Sequence, residues 1–212
     1  VTDEPTSIER FSLRNIGPEP TGATPLDEGD LEGLIPDFVA TRADLNRAEF
    51  DNIAVTLPWS IERARTVGPS GVLEYDFLMT LHRKMFGDVW QWAGTHRLRM
   101  TNIGSSPEHL ISETRLALDD MKYWHEHGTF GDDERAVRLH VRVVTIHPFP
   151  NGNGRCTRLL ADLYLVALDL PIFTWGSKTL DVDGVTRKRY IDALLKARDD
   201  GEFADLVLFA RS

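Results

Sequence analysis

The chain has 212 residues, 42% of them hydrophobic, with 33 acidic against 24 basic side chains and a net charge of -9. That length and apolar content suit one packed domain with a small N-terminal extension, and the acidic balance excludes a nucleic-acid backbone as the main partner. The lone Cys156 excludes an internal disulfide framework; with no membrane-length apolar run and an acidic start unlike a signal peptide, the expected compartment is the cytoplasm.

Residues 1–21 are polar, carry Pro18 and Pro20, and read as a flexible arm. Residues 22–71 read as a helical extension. Its first signal is Thr24-Pro25-Leu26-Asp27: an N-cap, a proline at the first helical position and an acid to close a capping box. The short helix should end before Pro36. It carries Glu28-Gly29 and Glu32-Gly33, whose glutamates share a face one turn apart and also read as solvated acids of an acidic surface. Thr41 caps a second helix, in which Leu45, Ala48, Ile53 and Leu57 recur.

The core domain should span 72–212. Leu73, Phe77, Leu78, Leu81 and Met85 mark a helix, and Trp90 and Trp92 flank the turn after it, where core packing accounts for them. In Thr95–Gly104 the alternation of Arg97, Arg99 and Thr101 with Leu98 and Met100 predicts a short hairpin, the one strand signal in the chain. Ser106-Pro107 opens a helix with Leu110, Ile111, Leu118 and Met121 inward. His125-Glu126-His127 lies at a polar helix end before Gly128, and with no further ligand cluster nearby it reads as a solvated end rather than a metal site. Asp132 and Asp133 introduce a long apolar helix, Ala136 to Ile146, that runs into His147. A second apolar helix covers Leu159 to Leu168.

Between those two helices stands His147-Pro148-Phe149-Pro150-Asn151-Gly152-Asn153-Gly154-Arg155-Cys156-Thr157-Arg158. The two prolines break the first helix and should leave His147 at its exposed end. Gly152 and Gly154 permit backbone conformations and close approaches closed to other residues. With Asn153 they open the next helix, whose first N–H groups form an anion site. Arg155 and Arg158 share one face of that helix and suit bidentate grip on phosphate oxygens. Each part alone is equally a glycine turn, a pair of surface arginines or a capping histidine. Together at this spacing they read as a polyphosphate site beside a general base.

This segment resembles the signature of Fic proteins, H-x-F-x-(D/E)-G-N-G-R-x-x-R, through His147, Phe149, Gly152, Asn153, Gly154, Arg155 and Arg158. The resemblance implies an all-α, mainly helical fold with a small β-hairpin flap. It implies protein adenylyltransferase activity, the transfer of AMP from ATP with Mg2+ to a hydroxyl of another protein. By position, His147 would be the base and Phe149 the loop's anchor. Gly152, Asn153 and Gly154 would cradle the phosphates, Arg155 and Arg158 would hold the β and γ groups, and Tyr190 and Leu194 would fall at the nucleobase pocket. Residues 81–94 are similar to the helix and turn before the family's flap. Arg97, Leu98, Arg99, Met100 and Thr101 would then form the flap that pairs with an extended stretch of the target protein. A homodimer is compatible with the resemblance.

Asn151 departs from the pattern, since the family usually has an acid there. Its amide oxygen can ligate Mg2+ but lacks the charge, which implies weaker metal binding and slower chemistry. A catalytically weak or inactive nucleotide-binding regulatory module therefore stays open, as does a Fic-type transferase using another nucleotide donor. Many Fic proteins also carry an inhibitory helix, (S/T)-x-x-x-E-(G/N), whose glutamate pairs with the second motif arginine. Here that implies Glu32 against Arg158, with Glu28 as the second choice. From Gly22 onward the chain is also similar to the subgroup called mobile mystery protein B, which shares the Pro-Asn-Gly-Asn-Gly-Arg variant.

Overall fold

A computed structural model of the chain describes Leu26, residues 28–176 and residues 184–212. The expected arm and the capping residues Thr24, Pro25 and Asp27 lie outside the described residues. Within them the chain forms α1 (Glu28–Leu31), α2 (Arg42–Val72), α3 (Tyr75–Phe86), a 3-10 turn (Pro107–His109), α4 (Leu110–Glu126), α5 (Asp132–Ile146), α6 (Asn153–Ala167), α7 (Gly184–Asp199) and α8 (Ala204–Arg211). No helix among the described residues is long and apolar enough to cross a membrane.

α5 is the central element. Ala136, Val137, Leu139, His140, Val141, Val143, Val144 and Ile146 are all buried, as expected of a helix covered on several sides. α4, α6, α7 and α8 pack around it, and α2 lies along α6. α3 follows its sequence pattern closely: Phe77, Leu78, Leu81 and Met85 are buried, with His82 and Phe86 among them.

α2 begins at the predicted cap. Thr41 Oγ1 accepts from the Asp44 N–H at 3.2 Å, and the Asp44 carboxylate accepts from the Thr41 N–H at 2.9 Å. Its buried face is otherwise mostly polar: Glu49, Asn52, Thr56 and Ser60 follow Leu45 at helical spacing. Leu57 therefore points outward rather than into the core. The polar stripe finishes the end of α3. Thr56 Oγ1 and Asn52 Nδ2 both donate to Lys84 O, at 2.7 and 3.2 Å, a carbonyl that the last turn of α3 leaves open, and the Asn52 amide also exchanges hydrogen bonds with Asp88. α2 breaks at Gly68, whose φ of 70° is left-handed. α4 buries Leu110, Thr114, Ala117, Leu118 and Met121, but Ile111 stands off that stripe and is exposed, against expectation.

The predicted hairpin is absent. Among the described residues β pairing is limited to one isolated antiparallel bridge, Leu34 with Trp90. The alternation in 97–101 is genuine but inverted. Arg97 is 2% exposed while Leu98 is 93% exposed, because the Arg97 guanidinium points inward onto backbone carbonyls. The backbone partners a hairpin would need are replaced by the loop after α5: Arg97 N–H donates to Pro148 O and Ser105 N–H to Ile146 O.

Candidate active site

His147 closes α5 in a left-handed conformation, φ 56° and ψ 57°, with its N–H on Val143 O at 3.1 Å. Pro148 then prevents the helix from continuing. The imidazole is buried rather than exposed as the sequence suggested. Its Nδ1–H donates to Val144 O at 3.2 Å, which puts the proton on Nδ1 and the lone pair on Nε2. Burial pushes its pKa down to about 4. The bond to Val144 opposes that shift, and the nearby Arg97 charge reinforces it. At neutral pH His147 is therefore a neutral imidazole, the form a general base requires.

The loop from 146 to 152 is held almost carbonyl by carbonyl. The Arg97 guanidinium donates to His147 O at 2.7 Å, to Arg99 O at 2.7 Å, to Ile146 O at 3.4 Å and to Ser105 O. His96 Nδ1–H donates to Pro148 O at 3.2 Å, so its Nε2 accepts the Tyr75 hydroxyl at 2.6 Å. Gly94 N–H donates to His82 Nδ1 at 2.9 Å, so His82 Nε2–H donates to Asn151 O at 3.0 Å. Burial holds His82 neutral, with a pKa of about 3. Phe149 is fully buried and stacks on His82, ring centres 3.7 Å apart. Segment 82–97 thus grips the loop with two neutral histidines and one arginine.

Gly152 starts α6 with φ 76°, and a Cβ there would lie 2.6 Å from the Phe86 ring. Glycine is required on both counts. Asn153 uses its whole amide on the loop: Oδ1 accepts Phe149 N–H at 2.9 Å and Nδ2 donates to Phe149 O at 2.8 Å. Only its backbone can then face an anion. Gly154 has ordinary helical geometry and no positive φ. The first hydrogen bond of α6 runs from Cys156 N–H to Gly152 O, so the N–H groups of Asn153, Gly154 and Arg155 lie at the open end of the helix, where anions bind. Cys156 is buried among apolar side chains, and burial pushes its thiol pKa up.

The two motif arginines have different surroundings. Arg155 Nη1 pairs with Glu49 Oε2 at 2.7 Å, its guanidinium lies 4.9 Å from the Phe86 ring, and its Nη2 is 3.5 Å from Asn151 Oδ1. Arg158 folds back along α6: its Nη1 would be 3.6 Å from a Cβ at Gly154, and its guanidinium lies 5.4 Å from the centre of the buried Tyr190 ring.

Of the remaining candidates, Leu98 and Met100 are exposed, Arg99 pairs with the buried Asp30 of α1, and Thr101 Oγ1 bonds Ile103 O. Glu32 is exposed in the turn after α1. Glu28 begins α1, but its side chain lies outside the description. Among the described residues no ion pair joins Glu32 to Arg158. For Mg2+ the protein offers a poor donor set. Asn151 Oδ1 already accepts Gly152 N–H at 2.6 Å and lies near a guanidinium, and no group of three metal-ligating side chains occurs among the described residues. The loop itself does not fit a resident Mg2+.

Sequence reading missed Glu49, His82, His96 and His140 as parts of the site, and Asp30 as its N-terminal tether. A signal existed for two of them. Glu49 lies four residues after Leu45, and His82 directly follows Leu81 and precedes Phe86 by one turn, so both fall on helix faces that must be buried.

Residues 72–165 match the family described as "Fic/DOC family". The chain is 28% identical over 144 residues, 64% of this chain and 70% of the relative, to a probable protein adenylyltransferase, y4lH, of Sinorhizobium fredii. It is 31% identical over 107 residues to protein adenylyltransferase fic-1 of Caenorhabditis briggsae, where it covers 47% of this chain but spans only 20% of that protein. Among solved structures, a Fic domain-containing signaling protein of Bacteroides thetaiotaomicron superposes with a TM-score of 0.60 at 20% identity, over 77% of this chain and 62% of that one. BepC of Bartonella tribocorum, solved with bound AMPPNP, superposes with a TM-score of 0.61 at 14% identity, over 82% and 87%. At those identities the two structures support the fold. The loop from His147 to Arg158 lies toward the C-terminal end of the matched region, so the candidate site falls within the part of this chain that is similar to the Fic/DOC family.

Proposed function

We propose that the chain is a protein adenylyltransferase that transfers AMP from Mg-ATP to a hydroxyl side chain of another protein. The observation that carries this reading is the neutral, Nδ1-protonated His147 on a loop fixed against the open N-terminus of α6. The target hydroxyl oxygen attacks the α-phosphorus, His147 Nε2 accepts its proton, and pyrophosphate leaves. The N–H groups of Asn153, Gly154 and Arg155, with the Arg158 and Arg155 guanidinium groups, stabilise the phosphate charge. Mg2+ enters with the nucleotide as part of the substrate. The exposed Leu98 and Met100 beside the clamped Arg97 supply the surface for the target, with Arg99 and Thr101 flanking. Tyr190, buried with its hydroxyl on His140, lies beneath Arg158.

The same reading gives the brake to Glu32 or, second, Glu28. It is supported by the docking of α1 beside the flap segment, where Asp30 pairs with Arg99 and accepts the Trp92 indole N–H at 3.0 Å through its carbonyl. The Pro150-Asn151-Gly152-Asn153-Gly154-Arg155 variant supports, in this reading, membership of the mobile mystery protein B subgroup. A nucleotide-binding module without turnover is the second reading, favoured by the lack of a carboxylate at 151.

The test is transfer of label from α-labelled ATP to the chain itself and to proteins of a lysate. Transfer should occur in the wild type, rise in Glu32→Gly or Glu28→Gly, and fall about 10²–10⁴-fold in His147→Ala. Nucleotide binding without transfer in every variant would establish the second reading instead.

A further inference from the structure

A buried polar chain crosses three helices beneath the arginines. Thr157 O–H donates to Asn153 O at 2.8 Å, so its oxygen accepts from His140 Nδ1–H at 2.9 Å. His140 Nε2 then accepts the Tyr190 hydroxyl, also at 2.9 Å. Burial keeps His140 neutral, as this pattern requires. His140 and Thr157 are fully buried, and Trp175 closes the histidine edge-on at 5.1 Å. The chain ends on the backbone of Asn153, the residue that opens α6. Its other end fixes the Tyr190 ring, and over that ring lies Arg158, whose guanidinium also lies along Gly154.

We infer that Tyr190 and His140 are positioning residues for Arg158, tying its guanidinium to the helix N-terminus so that the two act as one phosphate clamp. The inference rests on the nucleotide reading above and adds to it a role for two side chains that need not touch the nucleotide. An arginine on a flexible stem loses rotamer freedom when a ligand immobilises it, and a ring already fixed in the core removes part of that loss. The Tyr190 hydroxyl is directed inward to His140, so the ring cannot swing away from Arg158 about χ1 without breaking the chain.

The measurement is calorimetric titration of the full chain with Mg-ATP and with AMP, the ratio of the two affinities isolating the β and γ phosphates. Arg158→Ala should remove most of the preference for ATP. Tyr190→Leu should weaken ATP about 5-fold and leave AMP within about 2-fold. Added to Arg158→Ala, Tyr190→Leu should change the ratio no further, the mark of two residues acting through one another. Equal weakening of ATP and AMP by Tyr190→Leu, or the same loss of ratio in both backgrounds, would overturn the inference. Should Tyr190→Leu fail to fold by circular dichroism, Tyr190→Phe decides. It keeps the ring but releases it from His140, so the ratio should fall about 2-fold, and an unchanged ratio overturns the proposal. A wild type that binds neither nucleotide sinks the nucleotide reading together with this inference. A wild type that binds both, with a ratio indifferent to Tyr190, sinks this inference alone.

Discussion

Glu49 and Arg155, separated by 106 positions in sequence, meet at 2.7 Å, and the second Glu49 oxygen accepts the Trp90 indole N–H at 2.8 Å. The carboxylate comes from α2, outside the matched domain, and it holds the first motif arginine on one side and the turn after α3 on the other. Arg155 is about one-third exposed but Glu49 is buried, so the two partners are not equivalent. Arg155→Ala strands a buried carboxylate and should cost about 2–3 kcal/mol in urea unfolding. Glu49→Gln keeps an acceptor for Trp90, leaves no buried charge behind, and should cost about 1 kcal/mol.

Gly152→Ala meets two obstacles at once, a left-handed φ and the Phe86 ring at 2.6 Å from the new Cβ. The substitution should destabilise the protein by about 2–4 kcal/mol, read as a fall in Tm. Gly154→Ala has helical geometry and room, so its Tm should hold or rise slightly.

Arg97→Lys preserves charge but not the fork that reaches several carbonyls. A single ammonium cannot meet His147 O, Arg99 O and Ser105 O together. Hydrogen exchange in 97–105 and in 146–149 should accelerate together, by about 10-fold or more, while α4 and the start of α5 stay protected. Acceleration confined to 97–105 would show that the loop does not depend on this clamp.

Acid sensitivity follows from the histidines. His82 and His147 have folded pKa values of about 3 and about 4, below the 6.5 of the unfolded chain, so the unfolded state binds more protons between those limits. Their contribution is complete above pH 6.5 and is lost as pH falls toward 4, at about 1.4 kcal/mol per pH unit for each group. Asp162 acts in the opposite sense. Burial raises its pKa to about 7 against the opposing pull of the Trp175 indole N–H and Phe173 N–H that donate to it, so its share of stability is present at low pH and fades as pH rises from 3.8 to 7. Unfolding free energy should therefore fall between pH 6.5 and 4.5 in the wild type, and fall more steeply in Asp162→Asn. For catalysis, His147 is already in its basic form at pH 6, so kcat/KM for AMP transfer should be level from pH 6 to 8.

Where the sequence was readable, apolar periodicity and position agreed. α3, α5 and the cap of α2 followed from Leu78, Leu81, Val137, Val143 and Thr41 because burial of apolar stripes and an N-terminal cap are local rules. The helix joint was legible for the same reason: Pro148, Gly152 and the arginines have backbone or charge properties that act at short range. The flap misled because alternation reports which residues share a face and not which face is buried. Arg97 points inward only because carbonyls of residues 146 and 147, some fifty positions away, are there to receive it. Glu49 and His140 were hidden for a related reason, since a polar residue on a buried helix face acquires meaning only from partners on other helices.

The joint between α5 and α6 is held chiefly by uncharged donors and acceptors, His82, His96, Asn153 and the backbone, together with the buried Arg97. The N-terminal elements add to their packing two ion pairs near the site, Glu49 with Arg155 and Asp30 with Arg99, whose arginines are partly open to solvent. Dissolved electrolyte therefore acts unevenly on the molecule. Added salt weakens the ionic part of the hold of α1 and α2 on the site while the turn bearing His147 keeps its shape.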